Sequence, residues 1–264
     1  MTGLPMTLGA GRWRDHLLAL SAVSAIIALS WLYLARMSTT MPRGMSGMAR
    51  MMMPTAAPGL VEQFTTAFVM WSIMMMAMML STALPAVTMF SGLSRRREPH
   101  GRPALSTGIF VAGYLAVWFG YSIAIAAGQV ALSQAALLTP MLRSTSQALS
   151  VAILLAAGAF QFSALKETCV TQCRTPFAFF LAEWRDGKRG AFVLGLKHGS
   201  YCVGCCWALM AVMFVVGAMN LLWMAALTLL MLLEKVAPAR WRVSQATGVV
   251  LLLSGIALAS VLLR

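Results

Sequence analysis

The residues of this chain with the clearest chemical reach are five cysteines and a histidine set among them. Cys169 and Cys173 sit in LKETCVTQCR, while His198, Cys202, Cys205 and Cys206 sit in KHGSYCVGCCW. On a helix, Cys169 and Cys173 lie one turn apart on one face, and the second set falls within an arc of about 100°. Two neighbouring helices joined by a short loop would therefore aim four or five thiols and an imidazole at one point. Thiolates are soft donors, and Lys166, Arg174 and Lys197 flank the clusters, where positive charge favours the thiolate form. The expected metal ligands are Cys169, Cys173, Cys202, Cys205 and Cys206, with His198 as a ligand or as a donor that orients one. Lone cysteines in apolar helices are commonly inert packing. Five confined to two clusters, with none elsewhere, favour a metal or redox role over that reading.

The spacing narrows the choice of metal. It lacks the two separated C-x₂-C knuckles of a structural zinc ribbon, and it matches neither ferredoxin pattern. Copper as Cu(I), which accepts two or three thiolates, fits best; zinc and iron stay open as alternatives. Sulfur is also abundant as thioether, since the chain has 22 methionines. Met37, Met41, Met45, Met48, Met51, Met52 and Met53 form one group, in a segment where Pro42, Gly44 and Gly47 favour a loop over a helix. Thioethers bind Cu(I) without deprotonation, yet no His or Cys accompanies these, and surface packing is the competing reading. Met70, Met74, Met75, Met76, Met78 and Met79 form the other group, in WSIMMMAMML. They spread around most of a helix, which favours packing over a single site.

The elements that must carry these residues are membrane helices. Apolar residues make up 60% of 264, charged residues 10%, and mean hydropathy is +0.80. A soluble domain has about a quarter charged residues, and a disordered chain has more charge and less apolar content. The fold class expected is an all-α polytopic membrane bundle of about seven transmembrane helices, in a single domain covering 1–264. The apolar runs place them near 17–35, 64–90, 104–127, 149–165, 191–216, 219–233 and 246–263, with a methionine-rich outer loop at 36–63. Gly217 and Asn220 supply the only break in a long apolar stretch, which leaves the sixth helix short. The apolar segment Thr175–Trp184 reads as an interfacial or re-entrant piece that would close over the thiols.

Charge sets the orientation. With the N-terminus inside, fourteen basic residues fall in inner segments and five in outer ones, which favours N-in and C-out. That bias also accounts for a net charge of +13 without nucleic acid, and no aromatic–basic interleaving of the kind that stacks on bases is present. The seven acidic residues avoid confident mid-membrane positions, which counts against an ion-coupled pump.

The stretches WSIMMMAMMLSTALPAVTMF, LKETCVTQCRTPFAFFLAEWRDGKRGAFVLGLKHGSYCVGCCWALMAVMFVVGAMNLLWM and LLEKVAP resemble an uncharacterised bacterial family of predicted metal-binding integral membrane proteins. The likeness runs from about Trp71 to Pro238, and KHGSYCVGCCW is its most specific part. Cys169, Cys173, His198, Cys202, Cys205 and Cys206 stand where that pattern has them. The resemblance implies a multi-helix inner-membrane protein with a metal site. It supplies no activity.

The expected function is copper binding in the bacterial inner membrane, with handling or delivery to a membrane copper enzyme and lipid as the surrounding partner. An accessory subunit of a larger membrane complex and a thiol-redox membrane protein are the two alternatives. No nucleotide loop, Ser/His/Asp arrangement or catalytic carboxylate pair is present, so the reading leans away from an enzyme.

Overall fold

The computed structural model describes residues 7–40, 59–97, 102–139 and 142–262. The main elements are α1 (Thr7–Thr40), α2 (Leu60–Arg97), α3 (Pro103–Gln134), α4 (Gln147–Phe160), α5 (Ala164–Arg174), α6 (Pro176–Glu183), α7 (Gly187–Ala211), α8 (Met213–Val216), α9 (Leu221–Val236) and α10 (Val243–Leu262). Among the described residues no strand forms, and one isolated bridge pairs Leu138 with Ser144. Among the described residues five helices are long and apolar enough to cross a membrane: 15–38, 60–97, 103–134, 187–216 and 239–262. A sixth span results if α4 and α5, which meet at 65°, are taken together. Seven was the expected number. α9, at 16 residues, falls short of the roughly 20 a straight span needs.

The fourth expected helix, 149–165, ends early. α4 stops at Phe160, and Ser163 caps a new helix by accepting a hydrogen bond from the Lys166 backbone N–H. The break expected at Gly217 and Asn220 is present. Gly217 adopts φ 94°, a region that favours glycine, and the Asn220 side chain accepts from the N–H groups of Leu222 and Trp223 to start α9.

The core is built around α2. Met70, Met74, Met75, Met78 and Met79 are all buried there, together with Trp71, whose Nε1 donates to Gln129 Oε1 at 2.6 Å. This is the packing role expected of the second methionine group. Most of the first group, Met41–Met53, lies outside the described residues.

α3 and α7 approach each other closely at their glycines. A Cβ on Gly195 would overlap the Phe110 carbonyl oxygen, one on Gly113 the Phe192 carbonyl oxygen, and one on Gly199 would meet the Tyr114 carbonyl oxygen at 3.1 Å. Gly195 and Gly199 are four residues apart, the small-xxx-small spacing that lets helix backbones meet in a membrane. Gly195→Ala should therefore force the two helices apart and cost about 1–3 kcal/mol or more. The check is a lowered unfolding midpoint of the purified protein in mild detergent. An unchanged midpoint would mean that the crossing is not closely packed.

Candidate metal centre

α7 places His198, Cys202, Cys205 and Cys206 on one face by helical period; all four are buried, and α7 packs against α3 and α5. α5 brings the other thiols. α5 follows a 65° bend, and Cys173, near its C-terminal end, lines the same cavity as Cys202. Cys173 interacts through its side chain with Cys202 and Cys205, and Cys202 also with Cys206. The Cys205 and Cys206 sulfurs are 3.2 Å apart, and the Cys205 thiol donates to the Cys202 carbonyl at 3.2 Å. All five cysteines are free thiols.

Four of the five expected cysteines thus converge. Cys169 stands apart: it is buried one turn away against Gly204, where an added Cβ would lie 2.7 Å from its sulfur. Among the described residues no three His, Cys, Asp or Glu side chains stand as a ready-made metal-holding group. One pair, Cys205 and Cys206, is instead joined by a hydrogen bond. That arrangement suits an ion content with two thiolates better than one that demands four.

Cys202 is the hub. Lys235 Nζ donates to its sulfur at 3.0 Å and to Thr82 Oγ1 at 2.7 Å. The Tyr114 hydroxyl lies 3.1 Å from the same sulfur and donates to the Met79 carbonyl at 3.1 Å. No carboxylate forms an ion pair with Lys235 among the described residues. A buried cation without a carboxylate is costly, and the thiol it touches is the group able to offset it.

A second lysine supports the centre from behind. Lys166, on α5, is fully buried; it donates to Glu234 Oε2 at 2.6 Å and to the Cys205 carbonyl at 2.7 Å. Arg174 donates to the Glu234 carbonyl through Nε at 3.3 Å and Nη2 at 3.0 Å. These bonds tie α5, α7 and α9 together around the thiols. They also correct two sequence expectations. Lys166 and Lys235, expected as inner loop charges, are buried interior groups, so they drop out of the charge count on which the expected orientation rests. Glu234, one of the acidic residues expected to avoid confident mid-membrane positions, is buried in an ion pair with Lys166.

A cavity of about 220 Å³ opens beside Cys202. Cys173, His198, Lys235, Thr82 and Arg174 supply its polar lining, and Pro85, Met89 and Pro176 part of its apolar lining. His198 Nδ1 is buried without a hydrogen-bond partner. Its ring sits among Phe110, Tyr114, Phe179 and Phe180, with centroids 5.6–6.0 Å away. Phe179 and Phe180 belong to α6, the short apolar piece expected to close over the thiols; it packs against the His198 ring, and its Pro176 lines the cavity. Its end is pinned to α7 by Glu183 and Lys197, 2.5 Å apart, and this lysine holds the Glu183 carboxyl below its ordinary range.

Sequence reasoning missed Lys235, Tyr114 and Thr82 as members of this centre. For Lys235 the signal was there: an adjacent Glu and Lys end the apolar run of α9 in LLEKVAP, and ionisable residues within apolar helices are functional by default. No curated protein and no solved structure matches the chain. Residues 68–258, which include every group of the centre, match the family model PpoB2, described as copper chaperone. That match covers well over half of the 264 residues, and the chain belongs to this copper chaperone family.

Proposed function

We propose that this protein sits in the bacterial inner membrane, with its N-terminus inside, and carries Cu(I) as cargo for delivery to a membrane copper enzyme. The observation that supports this most directly is the convergence of Cys173, Cys202, Cys205 and Cys206 at one buried point beside an accessible cavity. Cys173 and Cys202 line the cavity and are the receiving pair, while Cys205 and Cys206 stand behind them as further donors. Two thiolates and one Cu(I) carry a single negative charge together, and Lys235, 3.0 Å from the Cys202 sulfur, supplies the matching positive charge. The cavity lies toward the end of α2 that carries Arg95, Arg96 and Arg97, the cytoplasmic side in this orientation. Copper would enter the thiol pair from there.

The test is the metal content of protein purified in mild detergent under reducing conditions. The expected result is copper bound at one ion per chain, with zinc and iron at background. Protein that binds no copper and copurifies with a fixed partner at fixed stoichiometry would make it an accessory subunit. A metal-free cysteine pair that cycles between thiol and disulfide would make it a redox protein.

A further inference from the structure

We infer that the chain holds a second soft-metal site, built of thioethers alone, at the far side of the bundle from the thiols. It is a cavity of about 10 Å³ lined by Met37 of α1, Met74 of α2, Met219 in the turn before α9 and Met224 of α9. Met74 and Met224 are buried and Met37 and Met219 half-buried. Four methionines, from α1, α2 and the stretch that enters α9, thus line a space about the size of one water-sized probe.

Its chemistry favours a cation over water. A buried water needs two to four polar partners, and among the described residues Ser38 is the one polar side chain of the lining; its hydroxyl already donates to the Ala35 carbonyl at 2.8 Å. Thioether sulfur is a soft donor that needs no deprotonation to bind. Because it is also neutral, it leaves the charge of a bound ion uncompensated. Burial then penalises a divalent ion far more than a monovalent one. Cu(I) and its redox-inert analogue Ag(I) are the ions that fit.

The position gives the site a use. Met74 precedes Pro85 by eleven residues on α2, and Met224 precedes Lys235 by eleven on α9. Both helices therefore put the thioether site about 16 Å from the thiol cavity at 1.5 Å per residue. The buried methionines Met75, Met78, Met79 and Met231 lie on the same two helices between the ends. At Thr40 the chain leaves α1, which carries Met37, and runs into Met41, Met45 and Met48. The site takes its ion from the side of the bundle opposite the thiols.

The site stands whether or not the thiols bind copper, and the test separates the two. A variant with Cys173, Cys202, Cys205 and Cys206 changed to serine is titrated with Ag(I) in detergent, with and without Met74→Leu and Met224→Leu. Leucine conserves volume, so packing is kept while the donor is lost. The expected result is one Ag(I) per chain in the serine protein and an affinity at least tenfold lower once the leucines are added. Selenomethionine-labelled protein with native cysteines gives a second readout that needs no cysteine change. A silver neighbour should appear in its selenium-edge X-ray absorption spectrum and vanish in the Met74→Leu, Met224→Leu protein. A folded serine protein that binds no Ag(I), or a signal the leucines leave unchanged, overturns the site. If the serine protein does not fold, the selenium-edge comparison decides alone. Failure of the thiol centre would show differently, as equal metal binding by the wild type and the serine protein.

Discussion

Cys202→Ser is expected to lower the affinity for Cu(I) by more than about 100-fold. Loss of a group that only orients a ligand already costs roughly 10–100-fold, and Cys202 is the hub that Lys235, Tyr114 and the other thiols surround. Serine keeps the size and removes the soft donor, so bound copper should fall while expression and monodispersity hold. The neighbouring positions supply the contrast. Cys173→Ser should approach the Cys202 result, because Cys173 shares both the thiol contacts and the cavity. Cys169→Ser should leave copper nearly unchanged, because that thiol faces Gly204 instead. Competition against a chromogenic Cu(I) chelator under reducing conditions measures all three. Equal losses at Cys169 and Cys202 would contradict the geometry.

The second large effect concerns the buried pair behind the thiols. Lys166→Met strands the Glu234 carboxylate, whose Oε1 already lacks a hydrogen-bond partner, and removes the donor to the Cys205 carbonyl. Breaking one side of a buried ion pair costs about 3–5 kcal/mol, whereas replacing both sides with apolar groups is often neutral or better. Lys166→Met alone should therefore depress the unfolding midpoint strongly, and Lys166→Met combined with Glu234→Leu should recover most of the loss. A double variant no more stable than the single one would locate the role of Lys166 in its bond to the Cys205 carbonyl.

The helices were legible in the sequence because apolar runs are long and their ends carry recognisable punctuation. Gly217 and Asn220 marked the α7–α9 break, and the period of His198, Cys202, Cys205 and Cys206 placed them on one face before any coordinates did. What escaped was set by contacts between distant segments. Thr82 and Lys235 are 153 positions apart and Tyr114 and Cys202 are 88 apart, so no local pattern joins them. The 65° bend between α4 and α5 escaped too, because Gln161, Phe162 and Ser163 look like a continuation of an apolar helix. With the bend missed, Lys166 looked like a loop charge and Cys169 the equal of Cys173.

Cys173 and Cys202 belong to different helices, with α6 and the start of α7 between them in the chain. An ion held by both is a cross-link, and it exists only while the bundle is folded. Binding of that kind adds stability by mass action, about 4 kcal/mol when free ligand is a thousandfold above its dissociation constant. Chains without cargo are then the ones that open more often, and so the ones a membrane protease cuts first. The lifetime of the protein, and with it its abundance, would rise and fall with the metal it carries.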